Sequence, residues 1–213
     1  MPQQSHNEQS IRLYRHRAAA YDDSARFTMP LRMATIALLA LEPGQVVLDV
    51  GAGTGLSYAP LVDAVGPKGH VMAFEQSPEM FAIANRRVAA HPWPQLWHAC
   101  ARAESVEMPR LADAVLFNYV HDITRTPEAL ANVFRFVRPG ARVAMAGMKF
   151  FPWWTGPLNI VPWLKNRPYN ARPGDLWSPW SIVAEYCEQF EVTPTQWGMG
   201  YIASGVFKGP VPG

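Results

Sequence analysis

The chain has 213 residues, 19 basic and 17 acidic, with 49% hydrophobic residues and a formal net charge of +2. That length predicts one domain, and the balance of apolar and charged residues excludes both a disordered chain and a strongly basic nucleic-acid binder. Two cysteines, Cys100 and Cys187, are too few for a disulfide framework and fit a reducing, cytoplasmic setting.

The polar stretch Met1–Ser10 lacks the apolar core of a signal peptide. Residues 9–20 and 30–41 read as two helices, the second opening at Pro30. Gln45–Val50 is a continuous apolar run of the kind a buried parallel strand shows. A helix over Leu56–Val65, a Gly66–Gly69 turn and a strand over His70–Phe74 follow. Pro78–Ala90 reads as a helix with proline in its first turn, then Gln95–Ala99 as a third strand and Ala114–Phe117 as a fourth. Pro127–Val137 is predicted helical, Pro139–Gly140 a turn, and Ala141–Met148 a fifth strand. Strands alternating with helices at this spacing predict a doubly wound parallel sheet.

Residues 149–177 break the rhythm. Five of the eight tryptophans lie between Trp153 and Trp180, among prolines at 152, 157 and 162 that make a membrane-spanning helix implausible. A helix over Ser178–Phe190 and an antiparallel hairpin, Glu191–Gln196 with Tyr201–Lys208, complete the expected order. The organisation is therefore an N-terminal helical cap (1–41), a core (45–148), a substrate-side insertion (149–180) and a closing helix and hairpin (181–208).

The sharpest motif is Val46-Val-Leu-Asp-Val-Gly-Ala-Gly-Thr-Gly55, a strand that runs directly into Gly51, Gly53 and Gly55. Glycines there let the backbone turn tightly and approach a ligand closely. Glu75, 24 positions after Gly51, ends the next strand, where a carboxylate can accept from both hydroxyls of a ribose. A dinucleotide loop reads G-x-G-x-x-G, whereas here the third glycine comes one residue early and Asp49 stands two residues before the first. A fixed carboxylate repels a pyrophosphate and attracts a sulfonium or an ammonium. Together these features favour S-adenosylmethionine over NAD.

Leu48-Asp-Val-Gly-Ala-Gly-Thr-Gly55 resembles motif I of the class I S-adenosylmethionine-dependent methyltransferases. The resemblance runs over residues 45–148 and includes Glu75, Ala103-Glu-Ser-Val-Glu-Met-Pro109 and the Val137-Arg-Pro-Gly140 turn. It implies a seven-stranded Rossmann-like sheet of order 3-2-1-4-5-7-6 with the last strand antiparallel. It implies that Asp49, Gly51, Ala52 and Gly53 line the methionine end of the cofactor, and that Glu75, followed by Gln76, holds the ribose. Met80 would pack on the adenine, Ala103 and Glu104 would sit at its edge, and Asn118 would lie near the methionine part. Many relatives carry Asp just before the Ala-Glu pair; this chain has Arg102 there, which leaves open what holds the adenine amino group. The cofactor implied is S-adenosylmethionine, with S-adenosylhomocysteine as product.

Methyl transfer from a sulfonium is an in-line displacement that asks mainly for alignment and water exclusion. His121, after the fourth strand, is the candidate base or positioning residue, with a structural histidine bonded to Asp122 or a loop carbonyl as the other reading. Tyr14 and Tyr21 resemble the capping helix of quinone-biosynthesis and phospholipid methyltransferases. Trp153 and Trp154 head an insertion that reads as core, as a lid over a greasy acceptor, or as a peripheral membrane contact with Lys165, Arg167 and Arg172 at its rim. A lid is the favoured reading. No metal-ligand spacing, nucleophile elbow or phosphate loop stands in the sequence. The expected function is methyl transfer to a small apolar or amphiphilic acceptor, a lipid head-group amine or a quinone-like or natural-product ring. A cofactor-binding protein of the same fold without turnover and an NAD-dependent oxidoreductase are the alternatives.

Overall fold

The computed structural model describes residues 26–166 and 176–209. The predicted helix over 9–20, with Tyr14 and Tyr21, lies outside them. The first described α-helix, α1 (Met29–Leu38), has proline in its first turn, where a missing N–H removes no helical bond. It buries Arg32, Thr35 and Ile36, the face of a helix that repeats every three to four residues.

Seven strands form one sheet: β1 (Val46–Val50), β2 (His70–Glu75), β3 (Leu96–Cys100), β4 (Ala112–Asn118), β5 (Val137–Met148), β6 (Cys187–Thr195) and β7 (Gly200–Phe207). Their order is β3-β2-β1-β4-β5-β7-β6, as the motif resemblance implies. β1 pairs in parallel with β2 and β4, and β7 runs antiparallel to both β5 and β6. Both faces of β1 are covered, which is why four of its five residues are valine or leucine. Val46, Leu48 and Val50 join one core with Met72, Phe74, Val115 and Phe117. Val47 faces the other side, against Ile36 and Leu39 and against Leu61 and Val65 of α2 (Tyr58–Val65). Asp49 shares that second face by strand alternation, so a carboxylate sits inside the sheet at 1% exposure.

α3 (Pro78–Ala90) begins where expected, its Ser77 Oγ accepting from the Met80 N–H at 3.3 Å. A short turn of helix, α4 (His121–Thr124), follows β4, and α5 (Pro127–Phe134) ends three residues before the predicted Val137. Val137 instead opens β5 opposite Ala112, and Arg138–Gly140 bulge outward before pairing resumes at Arg142, with Gly140 at φ +83°. The predicted turn thus lies within a strand. Residues 149–166 are more regular than expected, with two short 3₁₀ turns over Trp153–Asn159, broken by a kink at Gly156 (φ +51°), and a short α6 (Ile160–Asn166) that holds Pro162 in its first turn. The predicted helix over Ser178–Phe190 is a correction: α7 covers only Ser181–Glu185, and β6 starts at Cys187, opposite Phe207. Pairing with β7 outweighs local helix preference there, and a register shift between Glu188 and Glu191, with Gln189 at φ +51°, absorbs the mismatch.

Candidate cofactor and acceptor site

The carboxyl ends of β1, β2 and β4 meet at a cleft, the place where ligands bind in open α/β sheets. The cleft encloses about 490 Å³ of space, part of it open to solvent. Gly51, Gly53 and Gly55 all take positive φ, at +62°, +60° and +78°. A Cβ on Gly51 would lie 2.6 Å from Val120 Cγ1, and one on Gly53 would lie 3.4 Å from Met80 Cε. The glycines therefore let the loop lie flat between the segment after β4 and Met80, with its backbone facing the cleft.

Glu75 closes this loop from β2. Its Oε2 accepts from the Gly53 N–H at 2.9 Å and its Oε1 from the Ser77 N–H at 2.7 Å. Burial pushes its carboxyl up to about 7, against the opposing pull of those backbone donors. Asp49 is pushed up to about 7 by burial as well; the Arg32 guanidinium opposes that shift and Glu75 adds to it. Asp49 Oδ2 and both polar atoms of the Asn118 amide are buried with no hydrogen-bond partner. Unpartnered polar groups cost roughly 1–3 kcal/mol each, so the two on Asn118 at the cleft, with the one on Asp49 just before the glycine loop, call for a polar ligand.

Of the expected cofactor residues, Gly51, Ala52, Gly53, Glu75, Gln76, Met80 and Asn118 line the cleft, whereas Asp49, 1% exposed, is buried two residues before Gly51 and is not among the lining residues. Ala103 and Glu104 are not among the lining residues. Ala103 belongs to the core, its carbonyl accepting from Asn132 Nδ2 at 2.9 Å. Trp153 and Trp154, 79% and 72% exposed, also lie apart from the lining.

His121 and Asp122 are next to each other in sequence but face different ways, as neighbours on a helical turn must. His121 turns toward β5, where its Nε2 accepts from the Met148 N–H at 3.2 Å, and burial lowers its pKa to about 4. It is a neutral acceptor that ties the segment after β4 to the end of β5. Asp122 faces the cleft instead, its Oδ2 accepting from Gln76 Nε2 at 3.1 Å. That bond joins the ends of β2 and β4 across the glycine loop.

Sequence reasoning missed Arg32 and Tyr119. Arg32 is 6% exposed, lines the cleft, and places its guanidinium 5.1 Å from the centre of the Tyr119 ring. Its signal was present: Arg32 continues the buried face of Thr35, Ile36 and Leu39 at the end of α1 nearest the cleft. Tyr119, at φ +61°, carried no such signal, because a left-handed non-glycine cannot be read from spacing. Among the described residues, no group of three or more His, Cys, Asp or Glu is arranged to hold a metal.

Residues 47–140 match the family model described as a methyltransferase domain. The chain is 30% identical over 118 residues to the arsenite methyltransferase of Halobacterium salinarum, covering 52% of this chain and 29% of that protein. It is 28% identical over 159 residues to the demethylmenaquinone methyltransferase of Symbiobacterium thermophilum, covering 63% of this chain and 62% of that one. The chain thus spans less than two thirds of the length of these relatives. Its fold is that of a methyltransferase from Aquifex aeolicus described as S-adenosylmethionine-dependent, with a TM-score of 0.70 at 20% identity over 90% of this chain and 97% of that one. The glycine loop, the strand order and these relatives agree: residues 47–140 match a methyltransferase domain, and the chain is similar to the class I S-adenosylmethionine-dependent methyltransferases.

Proposed function

We propose that this protein transfers a methyl group from S-adenosylmethionine to a small apolar or amphiphilic acceptor, with the lipid-soluble ring of a quinone precursor as the first class to test. The observation that carries the reading is the set of buried, unpartnered polar atoms on Asp49 and Asn118 beside a glycine cradle. These fit an adenosyl amino acid. S-adenosylmethionine supplies a methyl on a sulfonium, which needs no metal and no covalent intermediate with the protein.

The chain's own residues then bind and align. Glu75 has lone pairs left for ribose hydroxyls after accepting its two backbone N–H groups. Asp49 supplies negative charge for the ammonium and sulfonium, and Arg32 a cation for the carboxylate of the methionine end. The Asn118 amide offers both a donor and an acceptor where acceptor and methyl meet. His121 is a positioning residue in this reading: with Nε2 engaged by Met148, it fixes the β4 end rather than taking a proton. The adenine edge is left to residues around Met80, with Ala103 and Glu104 shaping the loop behind it. The quinone class is supported by the demethylmenaquinone methyltransferase relative, which shares the longer aligned stretch of the two curated relatives above.

The test is single-turnover transfer from methyl-labelled S-adenosylmethionine to a short-chain demethylnaphthoquinol, to phosphatidylethanolamine and to arsenite in parallel. Label on the naphthoquinol is the expected result. Label only on the amine or on arsenite replaces the acceptor class, and no label on any of them counts against turnover.

A further inference from the structure

The segment after β5 has an inside and an outside. Phe150 and Leu176 are buried, Phe150 packs edge-on against Trp177 at 4.9 Å, and the Phe151 N–H donates to Asn159 Oδ1 at 2.8 Å. The outward side is apolar: Trp153, Trp154, Leu158, Ile160 and Leu164 are all more than half exposed. Trp197, in the β6–β7 turn, adds to the same end of the sheet. It is 97% exposed, and a Cβ on its neighbour Gly198 would lie 3.3 Å from Phe151. None of these side chains lines the cleft, so they serve neither as core nor as its wall. An exposed apolar surface of this extent marks a contact site.

The charge pattern identifies the partner. Residues 149–177 carry four cations and one anion, whereas the rest of the chain carries fifteen cations and sixteen anions. All of the chain's positive excess therefore falls in the segment that bears the exposed tryptophans. Self-pairing about a two-fold axis would set this excess against itself. Exposed tryptophans on a segment of net positive charge suit the headgroup layer of an anionic bilayer, where the indole sits at the apolar boundary. No helix among the described residues is long and apolar enough to cross a membrane, so the contact would lie on the surface.

We propose that the outward face of residues 153–164, with Trp197, docks this protein on anionic membrane surfaces at the edge of the sheet where the cleft opens. The proposal does not depend on the acceptor.

Cosedimentation of the full chain with vesicles tests it, using phosphatidylcholine alone and phosphatidylcholine with phosphatidylglycerol. Binding to the anionic vesicles is expected, with a blue shift of tryptophan emission. Trp153→Ser with Trp154→Ser should lower the partition coefficient roughly tenfold or more, as should Lys165→Gln with Arg167→Gln. S-adenosylhomocysteine binding, measured on the same samples, should stay within about twofold of the parent; it reports separately on the cofactor site. Failure of the parent to bind anionic vesicles overturns the proposal. Binding that ignores lipid charge, or that survives both double substitutions, also overturns it. So does dimerisation of the parent, without vesicle binding, that the tryptophan substitutions abolish.

Discussion

Glu75 braces the glycine loop through its own hydrogen bonds. Its two oxygens fix the Gly53 and Ser77 amides, so a change there acts on the loop as well as on the ligand. Glu75→Gln presents an NH₂ to one of those N–H donors. We expect roughly 10- to 150-fold weaker S-adenosylhomocysteine binding by calorimetry, together with about 1–3 kcal/mol of lost stability in urea unfolding. Unchanged affinity would place the ribose partner elsewhere.

Asp49 gives a pH signature of defined sign. Its folded pKa, about 7, lies above the ordinary 3.8. Its contribution to the stability of the ligand-free fold is therefore fully present below pH ~4 and lost as pH rises through about 7. A cationic ligand favours the carboxylate, so S-adenosylmethionine affinity should rise between pH 6 and pH 8, and Asp49→Asn should flatten that rise. The substitution should also weaken S-adenosylmethionine more than S-adenosylhomocysteine, since only the former carries the sulfonium charge. Parallel pH curves for the parent and Asp49→Asn would contradict this role.

At the scale of elements, the strand-to-glycine transition and the acid ending β2 were legible because each is a short local pattern with a backbone reason. The end of α5 and the start of β6 were not, since both are set by partners distant in sequence: Val137 by Ala112, and Cys187 by Phe207. His121 was legible as a residue of the β4 segment but not in its direction, which the Met148 N–H decides. Gly147 shows how tightly that tie is built, for a Cβ there would lie 2.4 Å from His121 Cε1. Gly147→Ala should push the imidazole off Met148, cost about 1–3 kcal/mol in thermal or urea unfolding, and loosen the β4 segment. Unaltered stability together with unaltered hydrogen exchange at Met148 would show that the tie is dispensable.

Across the whole molecule, a sheet buried on both faces gathers its polar groups at one edge. Asp49 and Asn118 lie inside that edge, Glu75 and Arg32 flank it, and the tryptophan-bearing segment follows β5 at the same end. The sheet order followed from the motif resemblance, whereas the outward set of the tryptophans needed the fold, because sequence alone gives their number and not their exposure. The central claim is that the cleft is built for S-adenosylmethionine. Calorimetric titration with S-adenosylhomocysteine and NAD, paired with melting curves, tests it most directly. Saturating S-adenosylhomocysteine, at about 100 times its dissociation constant, should stabilise the fold by roughly 2.7 kcal/mol, and NAD should leave it unchanged. Equal stabilisation by NAD, or no heat and no shift with S-adenosylhomocysteine, would contradict the account.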